Sequence, residues 1–80
     1  MGKKKAQHFD SVHIDYIRHS DKLFKLIVYV GWFNDQKVVA EFFIPRSEGQ
    51  SPVNIDGDAV RARLKRDFNI TFTHNSATYK

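Results

Sequence analysis

Apolar residues concentrate in the middle of the chain, and their arrangement predicts a β-hairpin. Residues 23–33 are rich in β-branched and aromatic side chains, which favour strands. The polar residues 34–36 supply turn chemistry, and residues 38–44 return as the second arm. Pro45 closes that arm, because it has no N–H to donate to a sheet.

A helical pattern follows the hairpin. Asp56 is a favourable N-cap residue. Val60, Leu64 and Phe68 then recur at four-residue intervals, which places them on one apolar stripe of a helix. Residues 70–73 read as a short final strand.

The segment 9–18 fits two patterns. Val12, Ile14 and Tyr16 alternate with more polar residues as they would in a strand, which is the interpretation we favour. A helical stripe is the alternative, and its members would be Phe9, Val12, Tyr16 and Ile17.

These elements predict an α+β fold in the order (β)ββαβ. We expect a small antiparallel sheet of three to four strands with one helix packed on one face. Residues 1–8 are predicted to form a basic mobile tail and residues 9–80 a single domain.

The two faces of the predicted sheet differ. One is apolar throughout and is expected to pack against the helix; its residues are Phe24, Leu26, Val28, Val30, Trp32, Val38, Ala40, Phe42 and Ile44. The other is mixed, and it is too apolar to be left in water. We expect residues 9–18 to cover it in part and a partner to bind the remainder. The candidate partner-binding residues are Tyr29, Phe33, Val39 and Phe43.

Gly31 interrupts the strongest strand. A glycine inside a strand often marks a bulge or the close approach of another group. Here it predicts a gap on the mixed face between Tyr29 and Phe33. Trp32 points to the opposite side, where it is expected to anchor the core; a role as a binding hot spot is the alternative.

Charge adds a second candidate surface. The chain has 80 residues, a net charge of +4 and no cysteine. Basic side chains on the helix and in the tail could contact phosphates, although a solvated helix face is the competing interpretation. The candidate nucleic-acid-binding residues are Lys3, Lys4, Lys5, Arg61, Arg63, Lys65 and Arg66.

Catalytic chemistry is not apparent in the sequence. The four histidines lack metal-ligand spacing, and there is neither a recognisable nucleophile–base set nor a glycine-rich phosphate loop. We therefore expect a non-enzyme without metal or cofactor. No signal peptide and no bilayer-spanning apolar run is seen, which predicts a cytoplasmic protein with no membrane partner.

The stretch KLIVYVGWFNDQK resembles the discriminator-of-mRNA-degradation (Dmd) antitoxins of T-even bacteriophages. The likeness is a β-branched and aromatic run ending in GWF, then a polar turn, a second strand, one helix and a last strand. The order of elements agrees from about Lys22 to His74. The chain departs from the family in its added N-terminal segment up to Asp21, its strongly basic helix and its lack of cysteine.

What the resemblance implies is a phage-encoded inhibitor acting in the host cytoplasm. Members of that family bind a bacterial RNase toxin and block its RNA site, so the mechanism is occlusion and no catalytic residue is carried over. Only Gly31, Trp32 and Phe33 are matched, as scaffold. The predicted function is thus inhibition of a host toxin or defence protein. The alternative is a small basic RNA- or DNA-binding accessory protein, and the two could coexist.

Overall fold

A computed structural model describes residues 5–31 and 35–80. The elements run β1 (Gln7–Arg18), β2 (Leu23–Val30), β3 (Lys37–Pro45), a 3-10 turn (Pro52–Asn54), α1 (Gly57–Phe68) and β4 (Ile70–Tyr79). This confirms the α+β class and the predicted order of elements. The strand interpretation of residues 9–18 is also confirmed.

The sheet is mixed rather than wholly antiparallel. Its strand order is β3-β2-β1-β4. The neighbours β1–β2 and β2–β3 are antiparallel, whereas β4 pairs parallel to β1. Parallel strands require a crossover connection, and α1 provides it between β3 and β4.

The start of β1 and the end of β4 both differ from the prediction. β4 continues past residue 73 to Tyr79, although its second half is polar. β1 begins at Gln7, so Gln7 and His8 pair with Ile70 and Thr71 instead of belonging to the tail. In each case the strand is longer than its side-chain pattern predicts, because the backbone hydrogen bonds between β1 and β4 continue there.

The core lies between α1 and one face of the sheet. Val60 and Leu64 of α1 are buried, and Phe68 packs beside them with its ring centroid 5.7 Å from that of Phe42. The sheet contributes its own buried apolar side chains, which are Val12, Ile14, Tyr16, Phe24, Leu26, Val28, Ala40, Phe42, Ile70 and Phe72.

Both ends of α1 are capped. The Asp56 side chain accepts a hydrogen bond from the Asp58 backbone N–H at 3.0 Å, which confirms the predicted N-cap. At the other end Asn69 adopts the left-handed conformation with φ 57°, and its N–H donates to the carbonyls of Leu64 and Lys65. This geometry ends the helix directly before β4 begins.

Gly31 follows β2 and begins the turn to β3. Its φ is +103°, and a β-carbon there would lie 2.7 Å from the Asp35 carbonyl oxygen. The close approach expected at Gly31 is therefore present, and among the described residues the approaching group is the turn backbone at Asp35. The predictions for Trp32 and Phe33 lie outside the described residues.

Because β3 contains a bulge, some of its side chains lie on the opposite face of the sheet from the one predicted. Val28 pairs with Ala40, but the next residue, Tyr29, pairs with Val38. Val39 is therefore the extra residue of the bulge, and one inserted residue reverses the alternation. As a result Val38 lies exposed beside Tyr29, whereas Val39, predicted to bind a partner, packs against the core.

Candidate functional site: the open face of the sheet

The face of the sheet opposite α1, here called the open face, carries the candidate site. The expectation that residues 9–18 cover this face is wrong, because they form β1 in the middle of the sheet. Among the described residues, the helix packs on the other side only. The open face bears Ile27, Tyr29, Val38 and Phe43 on β2 and β3, and His13, Asp15, Ser76 and Thr78 on β1 and β4.

Its β2–β3 half is mainly apolar. Val38 is 45% exposed and Phe43 43% exposed, and both lie on this face. The Phe43 ring meets the His19 ring edge-on, with centroids 4.9 Å apart. A cross-strand ion pair between Lys25 and Glu41, at 3.1 Å, lies on the same strands. Because Lys25 pairs with Phe43 and Glu41 with Ile27, this ion pair lies between the two exposed apolar side chains.

The β1–β4 half is polar and is organised around Asp15. Asp15 is only 6% exposed, and it is the one buried charged residue in the described part of the chain. Its carboxylate accepts from Lys80 Nζ at 3.2 Å and lies 3.2 Å from His13 Nε2. A carboxylate buried to this extent needs such partners, because desolvation without them is costly.

Imidazoles join β1 to β4 through hydroxyl groups. His13 Nδ1 lies 2.7 Å from Ser76 Oγ, and its Nε2 lies 2.8 Å from Thr78 Oγ1. Farther along the same strands, His8 makes equivalent bonds with Thr71 at 2.8 Å and Thr73 at 3.1 Å. Each imidazole thus bridges two hydroxyls spaced two residues apart on one strand.

Tyr29 connects the two halves. Its hydroxyl is hydrogen-bonded to Asp15, and its ring centroid lies 6.4 Å from that of His13. Burial raises the pKa of the Tyr29 phenol, and the negative charge and hydrogen bond of Asp15 raise it further. At neutral pH the phenol is therefore a donor to the carboxylate. A cavity of 790 Å³ opens over this cluster, with Tyr29, Asp15, Ser76 and Lys80 among its lining.

This cluster places a serine hydroxyl, an imidazole and a carboxylate together, a set that the sequence does not reveal. Its geometry favours a structural network over nucleophilic catalysis. His13 Nε2 is closer to the Thr78 hydroxyl than to Asp15. Acyl transfer also needs donors aimed at a developing oxyanion, whereas Lys80 Nζ and the Tyr29 hydroxyl are both directed at Asp15.

The predicted nucleic-acid-binding residues on α1 have partners within the chain. The Arg61 guanidinium lies over the Phe72 ring, 4.1 Å from its centroid, and donates to the Phe72 carbonyl. Lys65 Nζ donates to Asn69 Oδ1 at 3.3 Å. Arg61 thereby lies against β4 at the edge of the sheet, although it remains exposed.

Arg63 and Arg66 share one carboxylate. Both donate to Asp67, with the Arg66 Nε–Oδ1 distance 2.9 Å. The hydrogen bond from Arg66 is the main cause that lowers the Asp67 pKa, and Arg63 adds to it. These contacts offset part of the helix's positive charge. Of the tail residues in the predicted set, Lys5 is exposed, and Lys3 and Lys4 lie outside the described residues.

In the described ranges, no helix is both long and apolar enough to cross a membrane. Comparison with protein-family models, with curated proteins and with solved structures finds no match to this chain.

Proposed function

We propose that the protein is a non-enzymatic inhibitor that binds a bacterial RNase toxin, or another host defence protein, through its open face. Binding there would occlude the working surface of the target. The observation that carries the proposal is the exposure of Val38 and Phe43 on the same face of the sheet as the Asp15 cluster. Apolar surface next to ordered polar groups is the composition of a protein-binding site.

The polar side chains of the open face are preorganised for binding. Tyr29, Asp15 and Lys80 hold one another in place, so little side-chain freedom remains to be lost in a complex. Val38 and Phe43 would supply the gain. Complete burial of an apolar side chain of this size contributes about 1.5–3 kcal/mol, and the 45% of Val38 and 43% of Phe43 that are still exposed would contribute a little under half of that. The polar half would fix the orientation of the partner.

The resemblance to Dmd antitoxins narrows the proposed target. It is carried by the hairpin stretch that includes β2, whose side chains form the middle of the open face. An inhibitor of that kind is phage-encoded and acts in the host cytoplasm on an RNase toxin. Catalytic groups have no role in such occlusion.

Growth rescue tests this proposal. The chain is co-expressed with each member of a panel of bacterial RNase toxins, and recovery from toxin arrest is measured. We expect rescue from at least one toxin, loss of rescue with Phe43→Ser, and normal rescue with the helix control Lys65→Ser. Failure with the whole panel, or full rescue by Phe43→Ser, would contradict the proposal.

A small RNA- or DNA-binding accessory protein is the second candidate. The observations that favour it are the net charge of +4 and the 72% exposure of the Arg66 side chain, despite its pairing with Asp67. Phosphate-driven binding must weaken steeply as salt rises. Gel-shift titrations of the wild type and of a Lys65→Gln, Arg66→Gln variant test this, and equal affinities would count against it.

A further inference from the structure

A second surface lies on the helix side of the sheet, between α1 and the end of β3. It is a groove of 740 Å³, and its lining includes Ile44, Ile55, Ala59, Ala62, Arg63 and Arg66. The lining combines apolar side chains with the charged residues Asp56, Arg63 and Arg66. The function proposed for the open face makes no use of it.

The walls of this groove are fixed by contacts within the chain. Arg46 Nε donates to the Gln50 carbonyl at 3.0 Å, and the Ser47 N–H donates to Gln50 Oε1 at 3.0 Å, which holds the loop that forms one side. The cap made by Asp56 fixes the first turn of α1 on the other side. The groove is therefore formed before any occupant arrives.

The side of α1 that lines the groove, here called the groove stripe, has small residues in its middle and opposite charges at its two ends. Ala59 and Ala62 lie three residues apart and are exposed, so another helix could approach closely, at the 8–10 Å typical of helix packing. Asp56 lines the N-terminal end and Arg66 the C-terminal end. Asp58 adds to the negative end, and Asp67 offsets only one of the two arginines at the other.

We propose that this groove takes the same stripe of α1 from a second copy of the chain, packed antiparallel about a two-fold axis. In that arrangement Asp56 of each copy faces Arg66 of the other, and the alanines meet near the axis. A two-fold contact requires a self-complementary patch of this kind. The antiparallel direction also sets each helix N-terminus against a C-terminus, which the helix dipoles favour.

The first test is the mass in solution as a function of concentration, measured by light scattering after size exclusion. We expect the 9.3 kDa chain to approach twice its mass as concentration rises. Ala62→Lys should weaken association at least about tenfold and leave the melting temperature of the dilute monomer unchanged, since Ala62 is exposed. The control Phe43→Ser, on the open face, should associate normally.

Charge reversal tests the orientation. Arg66→Asp alone should weaken association, because it sets negative groups against Asp56 of the other copy. Adding Asp56→Arg to the same chain should restore it; circular dichroism checks that the helix survives loss of its cap. A chain that stays monomeric up to about 1 mM would overturn the proposal. So would a dimer that tolerates Ala62→Lys and is lost with Phe43→Ser.

Discussion

At the residue scale, Asp15 determines the character of the open face. A buried carboxylate on a sheet is tolerated here because Lys80, His13 and Tyr29 all turn toward it. The cost of its burial is recovered only while those partners are present, so the cluster is sensitive to the loss of any one of them.

Asp15→Ala should destabilise the protein by about 1.5–3 kcal/mol, the net contribution of hydrogen bonds to a charged group. Urea unfolding followed by tryptophan fluorescence measures this. Asp15→Asn should cost less, because the amide oxygen still accepts a hydrogen bond. Equal and negligible effects of both substitutions would show that the network contributes nothing to stability.

Two tyrosines have raised pKa values, from which we expect the protein to lose stability at alkaline pH. Burial raises the pKa of Tyr16, with a smaller contribution from Tyr79, and burial together with Asp15 raises that of Tyr29, both from the ordinary value of 10.0. Because the folded pKa lies above the unfolded one, the stabilisation is complete below pH 10.0 and is lost as pH rises through the folded pKa. Tyr16→Phe should reduce the slope of unfolding free energy against pH in that range.

At the scale of elements, the hairpin β2–β3 depends on its turn glycine. Gly31→Ala should destabilise the protein by about 1–3 kcal/mol, because the backbone is left-handed and the new methyl group meets the Asp35 carbonyl. Gly57→Ala is the matched control, since open space surrounds Gly57 and its φ is ordinary. Thermal melts that rank the two variants equally would contradict this account.

Some elements of the fold follow from the sequence, whereas certain contacts between elements do not. β2, β3 and α1 follow from local patterns, since alternation, Pro45 and the Asp56 cap each act within a few residues. The bulge at Val39 does not, because register depends on the opposite strand. The bonds of His13 to Ser76 and Thr78 join positions 63 and 65 residues apart, so only the parallel pairing of β1 with β4 reveals them.

At the scale of the whole molecule, one four-stranded sheet separates two surfaces with different chemistry. The open face combines exposed Val38 and Phe43 with the Asp15 cluster, and the opposite side carries α1 with its charged groove. Because the sheet core lies between them, a substitution on one surface should leave the other intact. Partner binding and self-association are therefore separable by mutation.

The affinity of the purified chain for a toxin that it neutralises tests the central claim most directly. Isothermal titration should show Phe43→Ser binding about 30-fold more weakly than the wild type, the loss expected when an anchor worth about 2 kcal/mol is truncated. The helix variants Lys65→Ser and Ala62→Lys should bind as the wild type does. If Phe43→Ser bound with unchanged affinity while a helix variant lost it, the open face would not be the binding surface.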